Sequence, residues 1–501
     1  MKILTLLRAF RIICVYGFLL LGAGYFVFSQ ALSEPVKIVL ENTSPLEIPH
    51  DPDRLPLFIF SIAGQLDDRT LSEEKVKETL QSLRDRGIAY PVRWKWKSGA
   101  ESLDAVLRLS SIQSDLDMMI VADASPCLYS FFDGSPDTLH VDDKGELFDD
   151  PGFGKPLGCP FAVDHRIPVI RKRVDSFIQA YRSAGLNVDF VYVDWEVDGP
   201  IEWNDAWNAS KKCRRCRSHI PDINQFTKFQ HALRTKRSEL QRTCLTEPVL
   251  QSFPDALVGN YGVNPHGGLR FWYDYFESVP QHPDIPVVKD QDAVYRYWAH
   301  EFDDTGYTVS MPVAYPWYPI FGWYNFQDPD YRWMYNLLKV ASNAGENTPN
   351  EILSIPFVHW HTTVPPPEPD PSVHQFSRRA YRDFLRHMIL RGHDSFFMWC
   401  MQKELSTEVS LVHHVYSEMA PWMPGLSDWT PLIFDVPATE SSVISALLSP
   451  DGQKVMALVS AFGSDIEFPA TFKLPVSPVL PGGATITLSK PSQIEIMAVR
   501  N

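Results

Sequence analysis

Between residues 55 and 420, short apolar runs alternate with amphipathic stretches, and this alternation limits the chain to very few architectures. The apolar runs are Leu57–Ala63, Ile88–Trp94, Met118–Ala122, Val188–Trp195, Ala256–Tyr261, Val309–Tyr315, Ile352–Trp360 and Ser395–Trp399. Between them, Glu73–Arg86, Pro168–Ala184, Asn224–Gln241, Asp330–Ala344 and His374–Arg391 carry apolar residues at spacings of three and four, the period of a helix with one buried face. Eight buried strands separated mostly by helices predict an α/β fold, a (β/α)8 TIM barrel over residues 50–425. Long insertions follow strand 3 (Ser125 to Arg166) and strand 5 (Val263 to Thr305), and a proline-rich loop, Val364 to Pro371, follows strand 7. All three leave strand ends, where a barrel builds its active-site face. After residue 430 the pattern changes to short β-type runs broken by turns at Ser449-Pro-Asp-Gly452 and Pro481-Gly-Gly483. They predict a small antiparallel all-β domain over 430–501.

The N-terminus reads as an export signal. Lys2, Arg8 and Arg11 precede an uncharged run from Ile12 to Phe28, and Ser29-Gln30-Ala31 offers small residues for cleavage. Residues 1–31 are therefore expected either to be removed or to stay as a membrane anchor, with the body secreted or otherwise outside the cytoplasm. Cys14 lies in that segment, and the remaining cysteines are even in number. In such a compartment, Cys213-Arg-Arg-Cys216 is expected to take part in a disulfide staple. The alternative is a metal knuckle using His219 and Cys244, but a single C-x2-C falls short of the four ligands that structural zinc wants. A net charge of −15 is the wrong sign for gripping nucleic acid. With 14 Trp, 19 Tyr, 30 Phe and 41 Pro, the composition suits an enzyme with long ordered loops.

Chemistry concentrates in Asn187-Val-Asp-Phe-Val-Tyr-Val-Asp-Trp-Glu-Val-Asp198. Alternate side chains of a strand share a face, so Tyr192, Asp194 and Glu196 point one way and Val191, Val193 and Trp195 the other. Two carboxylates at the C-terminal end of a central apolar strand sit where a barrel places its catalytic groups. Like charges so close raise at least one pKa, and an acid beside an ionised partner is the equipment for breaking a glycosidic bond. The bland alternative is a structural salt bridge or a helix cap.

Val188-Asp-Phe-Val-Tyr-Val-Asp-Trp-Glu196 resembles the strand-4 signature D-G-x-D-x-D-W-E of family 18 chitinases and the D-W-E strand of hyaluronidases. The resemblance implies that Glu196 is the proton donor and that Asp194 orients the substrate's 2-acetamido group, which itself attacks the anomeric carbon. Asp189 matches the first signature Asp, whereas Tyr192 replaces the middle Asp and Phe190 the Gly. Gly259-Asn-Tyr261, Ala314-Tyr-Pro-Trp-Tyr318 and Phe397-Met-Trp399 are similar to the hyaluronidase strands 5, 6 and 8. By that likeness Tyr261 and Tyr315 contact the acetamido group or the developing charge, and Trp399 stacks on the sugar. Tyr192, on the face of Asp194, joins the substrate-binding set.

Strand 7 ends Val358-His-Trp-His361 and carries no acid, which favours substrate assistance; Asp123 and Glu404 are the carboxylates left for an enzyme nucleophile. His359 and His361 alternate around Trp360 and are expected to hydrogen-bond sugar. They also suggest a metal, but with no third ligand in view neither a metal nor another cofactor is expected. Trp317, Tyr318, Trp323 and Trp360 are candidate sugar platforms, with core packing the better expectation for each. Asp164-His165-Arg166 reads as a helix approach or a substrate-binding turn. The chain is thus expected to be an exported glycoside hydrolase with a carbohydrate substrate. The alternatives are a retaining glycosidase with a separate carboxylate nucleophile and a non-catalytic glycan-binding barrel.

Overall fold

A computed structural model describes residues 31–499 apart from 68–70, 150–157, 196–205, 267–268, 271–288, 291–292, 295, 298–300, 317–320, 322–325, 363–372 and 463–466. Residues 1–30 of the leader, Glu196, Trp317, Tyr318, Trp323 and the whole proline-rich loop lie outside the described residues.

Eight strand positions follow the eight apolar runs, each with a shorter hydrogen-bonded core: β1 Phe58–Ile59, β2 Pro91–Arg93, β3 Val121–Asp123, β4 Phe190–Val193, β5 Leu257–Asn260, β6 Val309–Ser310 with Val313–Ala314, β7 Leu353–Ser354 with Phe357–Val358, and β8 Phe397–Met398. They form two four-stranded parallel sheets, ordered β1-β8-β7-β6 and β2-β3-β4-β5. Backbone hydrogen bonds cross both seams. Leu57 N–H donates to Gly87 O and Ala89 N–H to Leu57 O between β1 and β2. Thr308 N–H to Val258 O, Gly262 N–H to Met311 O and Met311 N–H to Val263 O link β5 to β6.

A helix follows each strand: α1 Glu73–Arg84, α2 Ala100–Asp115, α3 Ile167–Ser183, α4 Phe226–Gln241, α5 Glu301–Thr305, α6 Pro329–Asn347, α7 Arg378–Ile389 and α8 Leu405–Met419. Their starts are written locally. Ser72, Asp328 and Ser377 each accept a hydrogen bond from backbone N–H groups of the first turn of α1, α6 and α7.

The period-2 pattern of the strands sorts their side chains into two cores. Phe58, Val121, Phe190, Tyr192, Phe357 and Phe397 belong to an inner cluster enclosed by the sheets. Val191, Val193, Trp195 and Val358 pack outward with the helices. Gly259 belongs to the inner face because its register partner is Tyr192 and a Cβ there would sit 2.6 Å from Met311 Sδ.

Beyond the helices, β9 Thr430–Pro431, β10 Val443–Leu448, β11 Lys454–Ser460 and β14 Glu495–Ala498 form an antiparallel sheet, and β12 Ala470–Leu474 pairs with β13 Ala484–Leu488. These strands enclose a core of their own. The fully buried Arg391 docks the sheet on α7. It donates to the hydroxyls of Ser342 and Ser445 and to the carbonyls of Phe434, Asp435 and Ile444, and burial pulls its guanidinium down to about 9. Lysine cannot reproduce a planar fork with five acceptors, so Arg391→Lys is expected to lower stability by about 2–3 kcal/mol in urea unfolding.

One expectation is overturned. All six cysteines among the described residues are free thiols. Cys213 and Cys216 face Cys159 across separations of 3.8 and 3.5 Å, well beyond the ~2.05 Å of a disulfide. A C-x2-C opening a short helix, Arg214–His219, presents both sulfurs to one point rather than to each other.

Candidate active site

The side chains that leave the C-terminal ends of β2, β3 and β4 converge. Strand register sets Arg93 beside Asp123 and Asp123 beside Tyr192. Arg93 Nε donates to Asp123 Oδ2 at 2.7 Å, and Ser125 donates to Asp123 Oδ1 through its backbone N–H at 3.0 Å and its hydroxyl at 2.5 Å. The same hydroxyl accepts the backbone N–H of Asp194 at 2.7 Å. Asp123 is thus a saturated, buried carboxylate that holds the end of β4, which argues against its use as a nucleophile.

Asp194 is the opposite case. The residue is partly exposed, but Oδ1 is sealed from solvent and has no hydrogen-bond partner among the described residues. Burial first, and the Asp123 charge second, push its carboxyl up to about 7, against the pull of Arg93. Among the described residues, burial and Asp123 already raise this carboxyl; Glu196 lies outside them.

The backbone beyond Asp194 is gripped firmly. Asn260 at the end of β5 accepts the N–H of Trp195 at 2.9 Å and donates to its carbonyl at 3.2 Å. Gln241 accepts from both Asn260 Nδ2 and the Tyr307 hydroxyl, at 2.7 and 2.9 Å. Arg237, paired with the buried Glu301, donates to the Trp195 carbonyl and lies over its ring. Asp189, which matches the first acid of the chitinase signature, lies at the other end of β4. There it accepts Ile120 N–H at 2.7 Å, tying β4 to β3.

A run of buried aromatic contacts crosses the inner core to the partly exposed Trp399. Tyr192 meets Phe397 at 4.7 Å between ring centroids, Phe397 meets Phe357, and Phe357 meets Tyr261. Tyr261 meets Tyr315, which stacks on Trp399 at 5.6 Å and touches His359. The structure thus brings Tyr192, Tyr261, Tyr315, His359 and Trp399 into one contiguous set. Trp360 faces outward, buried, with its indole N–H on Phe376 O; it is core packing, not a sugar platform.

His359 and His361 meet carboxylates invisible at strand 7. Glu404 and Glu408 come from the segment after β8. Glu408, wholly buried on α8, accepts from Trp360 N–H, His361 N–H and His361 Nδ1 at 2.7–2.9 Å. His359 Nε2 lies 3.4 Å from Glu408 and 3.5 Å from Glu404. These four residues place ligand atoms within 4.8 Å of one another, a donor set that suits a divalent cation. Glu408, however, is already saturated by N–H groups, so its evident task is to hold the end of β7.

The turn at Asp164–Arg166 serves structure. Arg166 binds Asp133 and Asp137, His165 binds Asp137, and Lys236 binds Asp164. Arg166 holds the Asp133 carboxyl well below the usual carboxylate range. Sequence reasoning missed Arg93, whose only signal was a cation closing an apolar run, and it could not join Glu408 to a histidine 47 residues away.

No family model and no curated protein matches the chain. Solved structures to which it is similar include glycoside hydrolases. The polyextremophilic β-galactosidase from the Antarctic haloarchaeon Halorubrum lacusprofundi aligns at TM-score 0.45 and 11% identity, covering 73% of this chain and 57% of that one. The GH36 α-galactosidase AgaA from Geobacillus stearothermophilus aligns at TM-score 0.42 and 10% identity, covering 89% and 55%. The chain thus spans a little over half the length of these two enzymes. A GH29 α-L-fucosidase from Bacteroides thetaiotaomicron aligns at TM-score 0.38 and 8% identity, covering 93% and 96%.

Proposed function

We propose that the chain is an exported glycoside hydrolase working at the C-terminal face of a (β/α)8 barrel that spans residues 50–425. The observation that carries this reading is Asp194: a carboxyl poised near neutrality, with a buried oxygen unpartnered among the described residues, at the end of β4 beside Tyr192, where a run of aromatic contacts to Trp399 begins. Hydrogen bonds across both seams of the parallel sheets support closure into a barrel. Aromatic faces suit the C–H faces of a sugar, and a carboxyl of shifted pKa suits proton or charge work at a glycosidic oxygen.

In this reading Glu196, two residues beyond Asp194, protonates the leaving oxygen and then activates water. Asp194, ionised, accepts the N–H of a 2-acetamido group and offsets the positive charge that develops as the acetamido oxygen attacks the anomeric carbon. Tyr261 and Tyr315 border that group, and Trp399 floors the sugar ring. The basic and apolar character of residues 1–31 supports export. A second reading uses Glu404, held beside His359, as an enzyme nucleophile on a sugar without an acetamido group.

A panel of oligosaccharides with and without 2-acetamido groups separates these. Wild type is expected to cleave acetamido sugars, with Glu196→Gln slowed at least ~10³-fold while still binding them. Cleavage confined to sugars lacking the group and abolished by Glu404→Gln selects the second reading. Binding without cleavage by any form makes the chain a glycan-binding barrel and ends the enzymatic reading.

A further inference from the structure

A second cluster of chemistry lies away from the aromatic run, where the insertion after β3 meets the segment after β4. His140 lies on a short hairpin strand, His140–Val141, and Cys159 follows its partner strand, Leu147–Phe148. Cys213 and Cys216 open the helix at 214–219. All four residues are completely buried. Cys159 Sγ is 3.5 Å from Cys216 Sγ and 3.8 Å from Cys213 Sγ, and Cys216 Sγ is 3.8 Å from His140 Nδ1.

Those distances are the edges of a coordination tetrahedron. Zinc–sulfur bonds of ~2.3 Å and a zinc–nitrogen bond of ~2.0 Å place tetrahedral ligands ~3.5–3.8 Å apart. We propose that His140, Cys159, Cys213 and Cys216 bind one zinc ion in a closed structural site. His219, the neighbour in sequence, is turned away: it is exposed, bonded to Arg215 O and stacked on Phe161.

The surroundings are built for this. Gly158 lets the chain run so close to Thr138 that a Cβ would sit 2.0 Å from Thr138 O. Cys159 N–H can then bond that carbonyl at 2.8 Å, which delivers its sulfur beside His140. The imidazole stacks on Phe148 and directs Nδ1 at the thiols. Three thiolates around a dication leave one net negative charge, and the cluster is embedded in a basic run, Lys211 to Arg217. Arg215 donates to Leu139 O and Arg217 pairs with Asp143, so the same run also grips the hairpin. With all four positions filled by protein, the ion has no place for substrate; it ties two segments that flank the strand end bearing Asp194.

The test uses the purified full chain. Elemental analysis is expected to find about one zinc per chain, released by a thiol-modifying mercurial. Cobalt(II) exchanged into the protein is expected to show the intense d–d bands and sulfur charge-transfer of a tetrahedral thiolate site. Cys216→Ser and His140→Ala are expected to lose the metal, whereas Cys127→Ser and Cys400→Ser keep it. Should the cluster variants fail to fold, the wild-type cobalt spectrum still decides. Two results overturn the proposal: metal-free folded protein in which mass spectrometry finds these cysteines oxidised in pairs or freely alkylated, or a bound metal whose cobalt form lacks thiolate transitions and which is lost in His361→Ala.

Discussion

Asp194→Asn is expected to do opposite things to activity and to stability. kcat/KM on an acetamido sugar should fall by about 10²–10³-fold, because an amide cannot carry the negative charge that offsets a developing cation. In wild type the acid limb of the kcat/KM profile should lie near pH 7, where the Asp194 carboxyl gains its proton. In the variant that limb should vanish, leaving residual activity flat through neutrality. A variant that keeps the limb would show that another group titrates there and that Asp194 is a bystander.

The stability effect follows from the same shift. The carboxyl is raised from 3.8 to about 7 in the folded chain, so the folded state holds a proton that the unfolded chain releases from about pH 4 upward. Wild-type stability is therefore lost progressively as pH rises from about 4 to 7 and the charge is forced into its buried site. Above pH 7 the full ionisation cost, roughly 2–4 kcal/mol with the residue partly exposed, burdens wild type and not the variant. Urea unfolding should find the two equal near pH 4 and Asp194→Asn more stable by that amount at pH 8. A site that works at the expense of the fold is the expected signature of function, and a structural salt bridge would give the reverse sign.

How much of this could be read beforehand depends on how far apart in sequence the partners lie. The two faces of β4 were readable from Phe190 to Trp195, because a period of two is a local property of the chain. The start of α1 was readable at Glu73 for the same reason, whereas α7 begins after its Ser377 cap rather than at His374. The Cys213-x-x-Cys216 pair was visible, but its partners His140 and Cys159 come from the far side of α3. A reading confined to neighbours therefore favours a disulfide, with His219 and Cys244 as the alternative metal ligands. The sequence pairs Asp194 with Glu196 alone; burial and Asp123 on the adjacent strand also raise the Asp194 carboxyl, and only strand order reveals them. Likewise, no acid ends strand 7 in sequence, yet Glu408 reaches it from a helix one strand later.

Glu408 is expected to contribute strongly to stability at the end of β7. It is wholly buried, and two backbone N–H groups and one imidazole nitrogen converge on its oxygens. Truncation removes their acceptor and opens a space that water enters poorly, so Glu408→Ala should cost about 3–5 kcal/mol in urea unfolding. Because those N–H groups belong to Trp360 and His361, the loss falls on the end of β7, and with it on the placing of His359 against Tyr315 and Trp399. kcat/KM should fall along with stability. Glu408→Gln separates holding from chemistry. Its carbonyl oxygen can still accept from Trp360 and His361, but its amide turns one N–H toward another. It should therefore recover most of the stability, to within about 1–2 kcal/mol of wild type, and most of the activity. Were Glu408→Gln as inactive as Glu196→Gln while folding normally, Glu408 would be acting as an acid, and the assignment of the reacting carboxylates to β4 would have to move to α8.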